Sequence, residues 1–367
     1  MRLVVTEEQR ELRATLRRFF ADRSPGAEVR RLMETPEGHD PRVWAQMAGQ
    51  LGLQSLAIPE EYGGAGFGVR ELAVVFEEMG RALVCSPYLA TVALAGTALA
   101  ASSDEAAKRD LLPGIASGDT IATLVEGAPV TARHDGGGGW VLDGAAPQVL
   151  DGHIAGLLLV AAGTGEGTAL FAVDGTAPGL DRAPLPTLDQ TRRLARVAFA
   201  AVPARRIEGD AAAVLARTLD VAAVALAAEQ LGGAQQALDM TVEYAKVRHQ
   251  FGRPIGSFQA VKHRCADMFV QVESARSAVL NAAEAADERP AELPAAAALA
   301  KAYCSDAYLH TAGETIQLHG GIGFTWEHDA HLYFKRAQSS RQLFGSPDRH
   351  RARLAELAGI TGAVAAP

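Results

Sequence analysis

Apolar residues recur along this chain with two different periods, and the change from one to the other divides it. Up to about residue 118 the period is helical. Leu12, Leu16, Phe19 and Phe20 fall on one face. Thr6, followed by Glu7, Glu8 and Gln9, suits a helix N-cap whose hydroxyl accepts a free amide. The run Pro59-Glu60-Glu61-Tyr62-Gly63-Gly64-Ala65-Gly66 breaks the pattern with turn residues. A second helix is predicted from about Val69 to Leu83, and a third through the Ala-rich stretch from about Ala90 to Ala101.

Near Gly118 the texture changes to short β-prone runs: Thr120–Leu124, Trp140–Leu142, Leu157–Val160, Leu170–Val173 and Val197–Phe199. Turns rich in Gly and Asp separate them, which predicts a small all-β domain. Gly136–Gly139 is one such turn. It is not a phosphate loop, since no Lys-Ser/Thr pair follows it and no helix starts there.

From about Asp210 the helical period returns. After Ser257, read as an N-cap, Phe258, Val261, Cys265, Met268, Val272, Ala275 and Val279 step alternately by three and four. That spacing lays one apolar stripe along a long helix. Pro290 and Pro294 mark a loop, and another helix is predicted from about Ala295 to Leu318. Long helices with short connections predict an antiparallel bundle. The expected fold is α+β and multidomain: an N-terminal helical domain over residues 1–118, a small central β-barrel or sheet domain over 119–208, and a C-terminal four-helix bundle over 209–367.

Composition narrows the classes of function. The 367 residues allow a large core, and 48% hydrophobic with 21% charged residues is ordinary for a globular protein. A net charge of −8 and no basic stripe argue against nucleic acid as a partner. Cys85, Cys265 and Cys304 are far apart and form no CxxC pair, so they read as buried thiols in a reducing compartment. The opening segment turns acidic at once, without the apolar core of a secretory leader or the length to span a bilayer. The expectation is a cytoplasmic protein with no membrane partner.

Two segments carry candidate chemistry. In Tyr244-Ala245-Lys246-Val247-Arg248-His249-Gln250-Phe251-Gly252-Arg253-Pro254 a helix is predicted to end at Phe251, with Gly252 and Pro254 enforcing the stop. Arg248 there either forks onto a phosphate or closes the helix facing solvent. In Gln317-Leu318-His319-Gly320-Gly321-Ile322-Gly323-Phe324 the paired glycines either cap a helix or let backbone approach a ligand, leaving amides for its oxygens. Together, and with the continuation Ile255-Gly256-Ser257-Phe258-Gln259, these segments resemble the acyl-CoA dehydrogenase family. The resemblance covers nearly the whole chain, with its specific motifs mostly after Thr241. It implies a flavoenzyme in which Arg248, Gln250, Phe251 and Gln259, with Gln317, Gly320 and Gly321, reach the FAD bound mainly by a neighbouring subunit.

The same resemblance exposes what is missing. Where the family carries Thr-Glu-Pro and Ser-Asp near the flavin ring, this chain has Leu124-Val125-Glu126-Gly127-Ala128-Pro129, and Val125 replaces the Thr. Gln148-Val149-Leu150 stands where a Trp-Ile-Thr/Ser strand is expected. The Tyr-Glu-Gly-Thr run, whose Glu takes the substrate proton, reads Leu343-Phe344-Gly345-Ser346, so Phe344 occupies the base position. The alternative base position, on the helix before Arg248, is Ala222. Glu229 is the remaining candidate, on the same helix face as Ala222, where it serves either as a tuned base or as one half of an ion pair; Asp220 is a further acid nearby. Ser346 and His350 lack a nucleophile elbow, and His310, His319, His328 and His331 read as structural, with no metal site.

The resemblance therefore implies the subunit without the base in an α2β2 acyl-CoA dehydrogenase. Its partners would be an acyl-CoA substrate, a paralogous subunit bearing the Glu, and an electron-transfer flavoprotein as acceptor. A homo-oligomeric dehydrogenase with a relocated base, and a scaffold or flavin-dependent monooxygenase on the same fold, are the alternatives.

Overall fold

The computed structural model describes residues 6–360. Helix α1 (Glu7–Arg23) opens with the predicted cap: Thr6 Oγ1 accepts from the Gln9 amide, and Gln9 Oε1 accepts from the Thr6 amide. Helices α2 (Gly26–Met33) and α3 (Pro41–Gly49) follow; Asp40 caps α3 and Pro41 fills its first turn. Helix α4 (Val69–Arg81) ends close to the expected place. The predicted third helix takes an unexpected form. Leu89–Gly96 is a π-helix that passes into α5 (Thr97–Ala101). Thr97 Oγ1 donates to Val92 C=O, five residues back, at 3.3 Å, which suits the wider turn. Helix α6 (Glu105–Ala116) starts at an Asp104 cap.

The strands are β1 (Ala122–Val125), β2 (Val130–His134), β3 (Trp140–Leu150), β4 (Leu157–Thr164), β5 (Gly167–Asp174), β6 (Leu180–Pro184) and β7 (Leu194–Ile207). Strands β4, β2, β3, β7 and β5 pair in sequence, and β5 pairs back onto β4, so the sheet closes into a barrel. β1 adds parallel to β4, and β6 adds to β7. Leu142, Leu158, Val160, Phe171, Val197 and Val202 fill the interior. β2 and β6 go beyond the expected strands. β6 pairs only with β7, and Leu-Asp-Arg-Ala-Pro lacks the β-branched signal of a central strand. The Gly136–Gly139 turn joins β2 to β3, and Asp135 Oδ1 accepts from the amides of Gly137 and Gly139, at 2.7 and 2.9 Å.

Helix α7 (Ala211–Val247) ends before the two-residue strands β8 (His249–Gln250) and β9 (Arg253–Pro254). Then come α8 (Gln259–Glu288), α9 (Leu293–His319), α10 (Ala330–Gln342) and α11 (Pro347–Leu357). Ser257 is not the cap of α8. It closes a 3-10 turn over Ile255–Ser257, its Oγ donates to Pro254 C=O at 2.7 Å, and Phe258 takes the cap position. The apolar stripe of α8 is buried at Met268, Val272, Ala275 and Val279 and half-buried at Phe258, Val261 and Cys265. Cys85 and Cys304 are buried free thiols, while Cys265 is only half-buried. α7 is long and apolar enough to cross a bilayer, but 67% of its most apolar window is buried within the protein, as in a core helix.

The contacts divide the chain into two compact units. One comprises Ala27–Gly68 and Cys85–Ala222, the other Met1–Gly26, Val69–Val84 and Ala223–Pro367. In the first, Thr91 Oγ1 bonds both backbone groups of Ala122, which pins the π-helix to β1. In the second, α8 packs on α9, and α10 and α11 pack on α9 in turn. α4 and α7 meet backbone to backbone there. A Cβ on Gly80 would lie 2.0 Å from Glu229 C=O, and one on Gly232 would lie 1.8 Å from Glu77 C=O. Only glycine permits that approach.

Candidate functional site

The Arg248 segment is not a helix end at Phe251. α7 stops at Val247, four residues earlier than predicted, because the chain reverses in a tight hairpin. His249 pairs with Pro254 and Gln250 with Arg253, and the Ile255 amide donates to Arg248 C=O at 2.8 Å. The two turn residues, Phe251 and Gly252, have φ of +54° and +75°. Both values suit the type I′ turn that matches strand twist. Glycine takes this conformation freely, but Phe251 takes it under strain. Its side chain is 91% exposed and meets only the edge of Phe258, with centroids 6.0 Å apart. Arg253 stacks over Phe258 at 4.1 Å. Arg248, by contrast, is exposed and has no carboxylate or carbonyl partner for its guanidinium among the described residues. Gln250 and Gln259 are exposed as well.

The second segment leaves α9 at His319. Gly320, with φ +64°, ends the helix, and its amide donates to Gln317 C=O, so this amide is not free for a ligand. A 3-10 turn over Gly320–Phe324 follows. Gly323 is required by packing, since a Cβ there would lie 2.9 Å from Ile316 C=O. Gly321 is not: a Cβ on it would meet nothing within 4 Å. Within this chain, nothing demands glycine at 321. The turn is exposed, with Gln317 at its start and Phe324 83% exposed at its end.

The structure brings these two segments together. Tyr244, one turn before Arg248, stacks on His319 with ring centroids 4.4 Å apart. The hairpin and the glycine turn therefore lie at the same end of the helical unit.

At position 344 itself the side chain is a phenyl ring, which cannot take a proton. The backbone is held at φ +60°, and Gly345 follows at +105°. His350 Nε2 donates to Phe344 C=O at 3.0 Å. From α9, the fully buried Lys301 donates to Arg341 C=O, Gly345 C=O and Ser305 Oγ, at 3.2, 3.3 and 2.9 Å. Burial pulls the Lys301 ammonium down to about 8. Sequence reasoning missed this lysine, because its carbonyl partners are remote in the chain. Ser346 caps α11 through the Arg349 amide, so Ser346 and His350 serve the loop, not a nucleophile.

Glu229 is buried and paired. Its Oε1 accepts from Arg336 Nη1 at 2.9 Å, with both side chains under a tenth exposed. Ala222 is fully buried, and Asp220 is buried too. In the β unit, Val125 points into the barrel core. Val149 and Leu150 are buried and Gln148 is exposed, beside a register shift of β3 against β7. Leu150 C=O accepts from Thr123 Oγ1 at 2.6 Å. No side chain at 125 or 150 offers a hydroxyl. His310 is exposed, His331 packs edge-on against Trp326, and no group of acids, histidines or cysteines suits a metal ion among the described residues.

Comparison with known proteins gives consistent matches. The family model for the acyl-CoA dehydrogenase N-terminal domain matches residues 6–119, and that for the C-terminal domain matches residues 210–358. Acyl-CoA dehydrogenase IpdE2 of Mycobacterium tuberculosis is 41% identical over 93% of this chain and 94% of its own length. Among solved structures, the Tcur3481–Tcur3483 steroid ACAD, as its G363A variant, is similar at 36% identity and TM-score 0.88, covering 96% of this chain and 98% of that one. The ChsE4–ChsE5 complex of Mycobacterium tuberculosis is similar at 30% identity and TM-score 0.91, covering 99% and 100%.

Proposed function

The chain belongs to the acyl-CoA dehydrogenase family, and from that premise we propose that it is the base-free subunit of a two-subunit, FAD-dependent acyl-CoA dehydrogenase. The observation that carries the reading is an asymmetry. Arg248 and Gly321 stand exposed and unused on one end of the helical unit, while Phe344, Ala222 and the Arg336-bound Glu229 leave no available carboxylate for the substrate proton.

The exposed set fits the ADP and pyrophosphate end of FAD. Arg248 brings an unpaired guanidinium, suited to bidentate contact with phosphate oxygens. Gln250, Gln259 and Gln317 bring amides that both donate and accept. Gly320 and Gly321 let the backbone come close to a flat or charged ligand, and Phe251 offers an exposed ring beside them. When bound, FAD would supply the acceptor for the hydride that leaves the β-carbon of an acyl-CoA thioester. Phe344 can exclude water from its surroundings but cannot take the α-proton, so a Glu of the partner subunit takes it. Val125 and Leu150 offer no hydroxyl to a flavin ring, consistent with the ring resting on the partner.

The two-chain assemblies among the similar structures support a paralogous partner, and the steroid dehydrogenase among them supports a bulky acyl group. An electron-transfer flavoprotein is the acceptor we assign. The test is flavin content by visible absorbance. We expect this chain alone to be colourless, and its complex with a paralogous, Glu-bearing subunit to hold FAD stoichiometric with the pair. Stoichiometric FAD on this chain alone sinks the proposal.

A further inference from the structure

The two segments assigned above to FAD are far apart in sequence, and one side chain joins them. His319 immediately precedes Gly320 and is 3% exposed. One face of its ring stacks on Tyr244, at 4.4 Å and 25° between planes. His328, from the loop after the glycine turn, packs against the same ring at 4.4 Å and 49°. His319 Nδ1 donates to Thr315 C=O at 2.7 Å, which fixes the ring's rotation about its own bond to the helix. One turn deeper, Thr315 Oγ1 lies 3.0 Å from Thr241 Oγ1, and both hydroxyls reach Ala237 C=O. The last turns of α7 and α9 are thus tied twice, and the outer tie runs through His319.

We propose that His319 is a positioning residue that sets the Arg248 hairpin in register with the Gly320–Gly321 turn, so that both segments meet one cofactor. The inference rests on the FAD reading above. Its physical basis is that each segment alone is a short, exposed reversal of chain. The hairpin has two-residue strands and a strained Phe251, and the turn has an open face at Gly321. Neither fixes its own orientation relative to the other. A ring packed against both Tyr244 and His328 does so, because stacking geometry is specific and both neighbours sit next to the segments they orient.

The experiment compares the wild-type complex with H319A, H319F and R248A. It measures hydrogen exchange of residues 244–258 and 317–324 in the chain alone, and FAD retained by the complex with the Glu-bearing subunit. H319A is expected to speed exchange in both segments together by about fivefold to tenfold, the scale of one aromatic stack. It should also weaken FAD retention by a similar factor. H319F keeps an aromatic ring but loses the Nδ1 bond to Thr315 C=O, so it should loosen both segments and weaken FAD retention clearly less than H319A does. R248A should lose FAD without loosening either segment. If H319A loosens the glycine turn but leaves residues 244–258 protected, or if H319F behaves like H319A, the inference falls. If R248A keeps its FAD, the reading beneath it falls, whatever H319A does. Should H319A unfold, seen as fast exchange throughout, Y244L removes the same stack from the other side. It must then produce the same paired loosening, and protection of both segments in Y244L overturns the inference.

Discussion

At Glu229, two readings of one carboxylate separate at the level of its atoms. A general base needs a free lone pair within reach of its proton donor. Glu229 Oε1 instead accepts from Arg336 within a closed pair, and its own backbone carbonyl lies against Gly80. Glu229→Gln leaves Arg336 buried beside an uncharged partner, so the chain should lose on the order of 3 kcal/mol of stability. Denaturant melts measure that loss. Turnover per bound FAD in the assembled complex should not change, and a drop of several orders of magnitude would make Glu229 the base after all. Both the candidate and its alternative are legible from the sequence. The choice between them needs Arg336, which lies on another helix and carries no sequence signal of its pairing. Phe344 differs in this respect. A phenyl ring has no proton-accepting atom in any fold, so the lack of a carboxylate at 344 can be read from the chain directly.

At the scale of elements, the hairpin after α7 carries a local backbone cost. The sequence predicts a helix running to Phe251, because nothing before Gly252 breaks a helix by composition. The structure reverses the chain earlier, and Phe251 then holds φ +54°. A non-glycine residue in the left-handed region costs about 1 kcal/mol. Phe251→Gly should therefore leave the isolated chain as stable or raise its stability by about that amount, read by thermal melting. The same variant should lower FAD retention of the complex. A clear loss of stability in the isolated chain would mean that the Phe251–Phe258 contact holds the turn and that the ring has a structural use. The π-helix at Leu89–Gly96 and the edge strand β6 have a common reason for being missed. Their hydrogen-bond partners, not their own residue types, select the form they take.

At the scale of the molecule, four histidines among the described residues are held below their ordinary range, chiefly by burial: His39, His153, His319 and His350. The sign follows from linkage. A histidine whose folded value is depressed binds its proton more weakly in the native state than in the unfolded one, so acid favours unfolding. The stability these groups support is present above the ordinary value of about 6.5 and is lost as pH falls through the depressed values. Thermal melting between about pH 5 and 7.5 should therefore show a falling midpoint on the acid side. The carboxylates held low, such as Asp40 and Glu77, act at lower pH, so they do not mimic this limb. A midpoint that stays level across the window would show these histidines to be more solvated than the structure has them.

What the sequence determined by itself was local or additive: helical against strand period, the Thr6 cap, the β-rich middle, the two glycine-bearing motifs after Thr241, and the lack of a carboxylate at 344 and 222. Each depends on residue type and near neighbours, which the chain carries wherever it goes. The tertiary structure alone decided that Glu229 is spent on Arg336, that Lys301 and His350 hold the Phe344 loop from two helices, and that Tyr244, His319 and His328 form one stack. It also decided that the strands close into a barrel. Nearly every one of these is a contact between residues remote in sequence, the His350–Phe344 and His319–His328 pairs being the nearer ones. Its free energy exists only once burial has brought the partners within a few ångströms and removed the water between them.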